Sequence, residues 1–268
     1  MFTPIIRRAG GFALALALAA AAALPSAATA KTFKVGVTQG PHEEVAEVVK
    51  AELAKRGIAI QVIGFSDYVL PNQALAEGDL DLNSFQHQPY LDNQIKDRGY
   101  GLVPVGKTII LPMGVYSDKV KRLSDLKAGD RIGIPNDPTN GGRALLLIER
   151  AGLIKIRPGA GLRAGVPDIV DNPKKLKFVE LDAAQMPRAI PDLAAAAVNT
   201  NYAIQAGLVP GRDALLVEDA SSPYACVVAV RERDRDAPWV KAFVAAYQSE
   251  PVRKFIVETF KGAILPAF

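Results

Sequence analysis

Cysteine occurs once in these 268 residues, at position 226, and histidine only at positions 42 and 87. A single thiol excludes an intramolecular disulfide, so stability must come from a buried core. Two distant histidines and one cysteine offer no ligand pair at helical or knuckle spacing, and no metal site is expected. Past residue 30, no stretch reaches the ~20 uncharged apolar residues that a membrane-spanning helix needs. Lysines and arginines are scattered among acids rather than striped, which argues against nucleic-acid or anionic-membrane partners. The phosphate-loop pattern Gly-Lys-Ser/Thr and the dinucleotide pattern G-x-G-x-x-G are both missing, so no nucleotide cofactor is expected.

What is present begins with a leader. Residues 1–30 carry Arg7-Arg8, an apolar run from Phe12 to Leu24, and Ala28-Thr29-Ala30 just before Lys31. That order is a secretory signal peptide, here of Sec type and cut after Ala30. Removal leaves 238 residues with 30 basic against 28 acidic side chains, about +2. Such a chain can bury one core, as a single α/β domain or as two lobes. A bacterial lipid anchor needs a cysteine directly after the leader, and the only one is Cys226; the expectation is a free periplasmic protein.

In the mature chain, residues 32–38 alternate as a strand, 39–42 turn, and 43–56 repeat Val45, Val48, Val49 and Leu53 at helical spacing before a strand at 58–65. A strand, helix and strand in that order predict a parallel sheet. The stretch Ser84 to Tyr90 reads as a loop presenting Phe85, His87 and Tyr90, or, more plainly, as aromatic staples beside a surface histidine. The segment 102–115 is extended, apolar and interrupted by prolines, and suits a passage from one lobe to another. A second β/α series follows, with strands at 131–134, 177–181 and 194–198; the last delivers Asn199-Thr200-Asn201-Tyr202 at its carboxyl end, where open α/β sheets hold ligands. Strands at 215–217 and 225–230 precede two closing helices.

The organising stretch is Ile134 to Arg143, a strand that stops at a proline turn before a helical run from Ala144. Asn136, Asp137, Thr139 and Asn140 are capping residue types, and Gly141-Gly142 would let backbone approach a ligand, so exposed helix N–H groups are expected to meet an anion. Arg143 adds a planar cationic fork matched to a carboxylate or phosphate. An ordinary capped turn is the alternative.

Several segments in order, Val37-Thr38-Gln39-Gly40-Pro41-His42, Phe65-Ser66-Asp67-Tyr68, Phe85-Gln86-His87-Gln88-Pro89-Tyr90, Pro135 to Asn140, Asn199-Thr200-Asn201-Tyr202 and Ser222-Pro223-Tyr224, resemble the NlpA/MetQ family of methionine-binding proteins, the substrate-binding components of ABC importers. The resemblance spans the mature chain. It implies an α/β, two-lobed periplasmic-binding fold of type II-like form with the ligand in the interlobe cleft; residues 31–113 plus 228–268 would form the first lobe and 114–227 the second. It also implies that Tyr68, Phe85, His87 and Tyr90 surround a thioether, that Arg143 and Asn140 grip a carboxylate, and that Asn199, with Asn201 in the same motif, bonds the amino-acid backbone. Partners would be L-methionine or a close relative and an inner-membrane permease, with the protein itself a monomer and not an enzyme.

Two positions depart from the family pattern. Cys226 stands where an asparagine would bond the ligand's polar end, and Ser84 where tyrosine is common. A thiol is a weak hydrogen-bonding group, which leaves open a methionyl dipeptide, another apolar amino acid or a sulfur compound as ligand. Cys226 paired with a histidine as a hydrolase nucleophile is a further alternative, set against its placement in a β-rich apolar run, where a buried thiol is inert.

Overall fold

The computed structural model describes residues 1–3, 31–219 and 223–268, and the reading of a leader falls outside the described residues. The chain first lays down β1 (Phe33–Thr38), α1 (Pro41–Ala54), β2 (Ile60–Phe65), α2 (Leu70–Glu77), β3 (Leu82–His87), α3 (Gln88–Arg98) and β4 (Leu102–Lys107). After the short β5 (Ile109–Ile110) come β6 (Gly114–Tyr116), β7 (Arg131–Pro135), α4 (Pro138–Arg150), β8 (Lys155–Ile156) and β9 (Ile169–Asp171). Then follow β10 (Lys177–Leu181), α5 (Met186–Ala189), β11 (Ala195–Val198), α6 (Thr200–Gln205), α7 (Pro210–Asp213) and β12 (Leu216–Val217). The closing elements are β13 (Cys226–Arg231), α8 (Pro238–Tyr247), α9 (Glu250–Phe260) and β14 (Leu265–Pro266).

Two five-stranded sheets result, in the orders β2-β1-β3-β13-β4 and β10-β7-β11-β6-β12. β1 runs parallel to β2 and β3, whereas β13 is antiparallel to β3 and β4. In the second sheet β7 is parallel to β10 and β11, and β6 is antiparallel to β11 and β12. The chain leaves the first sheet after β4 and returns to it with β13. This is the two-lobed periplasmic-binding fold.

Each sheet is covered on both faces. Val45, Val49 and Leu53 of α1 pack with Val240, Phe243 and Tyr247 of α8 and Val252 and Ile256 of α9 over one face of the first sheet. Leu75 and Leu91, from α2 and α3, cover the other with Leu80 and Leu102. The second sheet buries Leu145, Leu147 and Ile148 of α4 on one side, and Met186, Ile190 and Tyr202 on the other.

Three expectations change here. The stretch from Ser84 is not a loop: β3 runs through His87 and all six of its residues are buried. A polar strand tolerates that burial because its amides pair with one another. Asn72 donates to Gln86 at 2.7 Å, Gln86 returns a bond to Asn72 Oδ1 at 2.7 Å, and Asn83 donates to the same oxygen at 2.9 Å. Helix α1 starts at Pro41 rather than after His42, since Gly40 takes φ +80° as its cap, a left-handed value that favours glycine.

The third change concerns α4, which starts at Pro138, so Asn140, both glycines and Arg143 are helical. Its first N–H groups are not available to a ligand: the Asp137 carboxylate accepts from Thr139 N at 3.2 Å and Asn140 N at 2.9 Å. The glycines admit protein backbone instead. A Cβ on Gly142 would lie 2.5 Å from the Leu162 carbonyl oxygen and 3.0 Å from Ala164 N. Gly142→Ala is therefore expected to destabilise the protein by about 1–3 kcal/mol through overpacking, outweighing the ~1 kcal/mol that alanine gains in helix propensity. A urea midpoint that stays the same or rises would contradict this close approach.

Candidate ligand-binding site

Both sheets send the carboxyl ends of strands toward one cavity, with ≈ 370 Å³ of space between atoms, mouth included. From the first sheet's side come Phe85 and His87 at the end of β3, Tyr90 on α3, Tyr68 ahead of α2, and Cys226 at the start of β13. From the second come Asn140 and Arg143 on α4, and Asn199 and Asn201 where β11 gives way to α6. All nine residues picked out from the sequence thus line the same cavity. Their burial is near complete, except for half-buried Tyr68.

One end of the cavity is aromatic. The Tyr68 ring lies 6.1 Å from Phe85, 6.0 Å from Tyr90 and 5.0 Å from Tyr202. Phe85 and Tyr90 meet edge to face at 6.1 Å. Tyr68 is fixed at its hydroxyl, which donates to Asn201 Oδ1 at 2.5 Å, and at its carbonyl, which accepts from Tyr90 Oη at 2.9 Å. Burial raises the pKa of Tyr68, of Tyr90 and of Tyr202 above the ordinary phenol value, so all three remain neutral phenols.

His87 joins the two ends. Tyr90 N donates to its Nδ1 at 3.1 Å, which places the proton on Nε2, and Nε2 lies 3.0 Å from Asn140 Oδ1. Burial, with the Arg143 charge behind it, pushes the imidazole pKa down to about 3, so His87 is neutral. Asn140 Oδ1 also accepts from Asn199 Nδ2 at 2.8 Å, and Asn140 Nδ2 donates to Asp137 at 2.8 Å. Asn140 thereby holds His87 and Asn199 in place. Asn199 Oδ1, Asn201 Nδ2 and Tyr224 Oη are buried without a partner among the described residues.

Arg143 forms the polar end. Its Nε donates to both carboxylate oxygens of Glu218 at 3.1 Å, and Nη2 donates to Glu218 and, at 2.8 Å, to the Leu111 carbonyl. The guanidinium carbon sits 4.4 Å from the Tyr224 ring centroid. Its Nη1 donates to no acceptor among the described residues. Cys226 is buried, and burial pushes its thiol pKa up to about 12, so it is a neutral thiol and a poor nucleophile.

Sequence reasoning passed over three residues here. Glu218 follows a two-residue strand and stands in no motif, so nothing in its neighbourhood marks it. His42 and Tyr224 sit in motifs that were legible, and both line the cavity. The signal for His42 is the Gly40-Pro41 start of α1, which turns the imidazole inward; its pKa falls to about 4 through burial, and its Nδ1 has no partner among the described residues.

A two-lobed fold with a cavity aromatic at one end and cationic at the other defines a small-molecule binding protein. The chain belongs to the NlpA lipoprotein family, whose model matches residues 33–268. The D-methionine-binding lipoprotein MetQ of Salmonella typhimurium is 52% identical over 233 residues, 86% of each chain. MetQ of Escherichia coli K12 is 50% identical over the same span, with the same shares covered. Among solved structures, a nutrient binding protein from Burkholderia cenocepacia bound to methionine is 53% identical; it superposes with a TM-score of 0.87 over 88% of this chain and all of that one.

Proposed function

We propose that this protein is the substrate-binding component of an ABC importer, capturing methionine or a closely related ligand in the cleft and handing it to a membrane permease. The convergence of an aromatic cage and a charged polar end on one cavity carries the reading. Aromatic edges favour a thioether by about 0.3–1.5 kcal/mol per contact. Buried Asn199 Oδ1, Asn201 Nδ2 and Tyr224 Oη need partners that a zwitterion can provide, and each left unmatched costs about 1–3 kcal/mol. The ligand's thioether would lie among Tyr68, Phe85, His87 and Tyr90. Its carboxylate would meet Arg143 and accept from the free Asn201 Nδ2, and its ammonium would donate to the free Asn199 Oδ1, with Asn140 orienting Asn199 and Cys226 closing the polar end.

The lobes would be residues 31–113 with 226–268, and 114–225, moving about the two crossovers; the return would fall at Cys226 rather than at residue 228 because β13 pairs with β3 from there. β13 pairs with the first sheet from Cys226 onward, which supports a second crossover between Val217 and Cys226. Ligand would draw the lobes together through pairs such as Tyr68 with Asn201 and His87 with Asn140, which link the two sheets' sides. The exported form would start at Lys31. Among the described residues no helix is long and apolar enough to cross a membrane. The relatives are named lipoproteins, while the one cysteine of this sequence is buried in β13; the intact mass of the exported protein decides between a free and an acylated form.

A thermal-shift screen of ligand-stripped residues 31–268 tests the specificity. Both enantiomers of methionine, methionyl dipeptides, other apolar amino acids and methionine sulfoxide form the panel. A ligand at 100 times its dissociation constant stabilises the fold by about 2.7 kcal/mol, and a methionine enantiomer is expected to give the largest shift. A larger shift from a dipeptide or another amino acid would overturn the methionine assignment and keep the binding role.

A further inference from the structure

We infer that Glu218 sets the charge class of the ligand: by neutralising and orienting Arg143 it makes the site select molecules of zero net charge over anions. This rests on the proposed reading of the cavity as an amino-acid site. Among the described residues lining the cavity, Arg143 is the only cation and there is no carboxylate. Glu218 stands directly behind Arg143, its side chain 7% exposed against 4% for the arginine. It is fixed there from a second direction, since Met113 N donates to Glu218 Oε2 at 3.3 Å and Glu218 N donates to the Met113 carbonyl at 2.9 Å. Of the other carboxylates nearby, Asp137 is half-buried and caps the positive end of α4, and Asp219 lines the adjoining pocket that Arg143 and Glu218 share, outside the cavity.

Two consequences follow from this arrangement. With Nε held by Glu218 and Nη2 shared between Glu218 and Leu111, the guanidinium cannot swing, and the edge carrying Nη1 is the one left for a ligand. The buried pair also sums to zero charge. A zwitterion entering such a site leaves the complex neutral, whereas a carboxylate without its amino group brings an uncompensated negative charge into a water-poor cavity, which is costly. The ammonium of a zwitterion would be received by neutral acceptors, of which Asn199 Oδ1 is buried and unpartnered among the described residues. Removing the Glu218 charge reverses the preference, because an anion then pairs with an otherwise uncompensated Arg143.

The test compares matched trios on wild type, Glu218→Gln and Glu218→Asp by calorimetric titration. Each trio is an amino acid, its des-amino carboxylate and its carboxamide; for methionine these are L-methionine, 4-(methylthio)butanoate and L-methioninamide, and leucine supplies a second trio. In Glu218→Gln the affinity of the des-amino carboxylate relative to the amino acid is expected to rise at least tenfold, and that of the cationic carboxamide to fall. Glu218→Asp keeps the charge and is expected to keep the wild-type ranking while weakening carboxylate ligands together. Parallel weakening of all three members in Glu218→Gln would mean a merely structural role and would overturn the inference. If the methionine trio is silent and the leucine trio binds, the methionine reading falls while the charge inference is still judged on leucine. Silence of both trios in wild type overturns both. Should Glu218→Gln fail to fold by circular dichroism, loss of the wild-type ranking in Glu218→Asp overturns the inference, and its retention supports it.

Discussion

Replacing Arg143 by alanine is expected to abolish measurable ligand binding and to lower stability by about 3–5 kcal/mol, because it leaves a buried carboxylate without its partner. The binding loss arises because Arg143 is the cation lining the cavity. The stability loss arises behind it, where Glu218 is bonded by Nε and Nη2 and would keep only a backbone N–H from Met113. The two effects separate in a double variant. Arg143→Met with Glu218→Leu exchanges the pair for apolar groups of comparable size, a change that is often neutral or stabilising. Its urea midpoint should return toward wild type while binding stays absent. A double variant that regains binding would remove Arg143 from the site, and a single variant of wild-type stability would mean that the ion pair is not buried in solution.

Acid is expected to weaken the protein well before carboxylates titrate. His42 and His87 are buried as neutral imidazoles with pKa values near 4 and 3, against 6.5 in the unfolded chain. A histidine whose folded pKa is depressed binds a proton only after unfolding, so stability falls as pH drops below 6.5 and stops falling from this source once the folded value is passed. Each pH unit in that window costs about 1.4 kcal/mol per histidine, which comes to roughly 4 kcal/mol for the pair at pH 5. That is a large fraction of the 5–15 kcal/mol typical of a domain. Urea unfolding at pH 7 and at pH 5 checks it, with His42→Gln and His87→Gln each expected to flatten the pH dependence by about half. A pH-independent midpoint between 7 and 5 would show that neither imidazole is buried as neutral.

The parts of the site that sequence made legible share one property: their chemistry and their place in the fold are both local. Asn199 and Asn201 follow a small-residue strand, and the carboxyl end of such a strand is where ligands sit. Phe85, His87 and Tyr90 are marked by composition alone. Their setting was not legible, because the buried amides of Asn72, Asn83 and Gln86 satisfy one another across up to fourteen residues, and no local pattern announces a polar strand that can be interior. The same limit applies to α4. Capping residues located its start region, but Asp137 supplies the anion from within the chain, so the helix N–H groups that read as an anion site are already taken and Arg143 alone of that stretch is left for one. Glu218 lies 75 positions from Arg143, and only the sheet brings them together.

The cavity between the two sheets is expected to hold a methionine-like zwitterion by an aromatic cage at one end and Arg143 at the other. The most direct measurement is a calorimetric titration of methionine into residues 31–268 after unfolding and refolding to strip bound ligand, run beside Tyr68→Ala and Arg143→Lys. Saturable one-to-one binding in the wild type, weakened at least tenfold in each variant, is the predicted result. Binding unaffected by either variant, or none at millimolar methionine in a folded wild type, would contradict it.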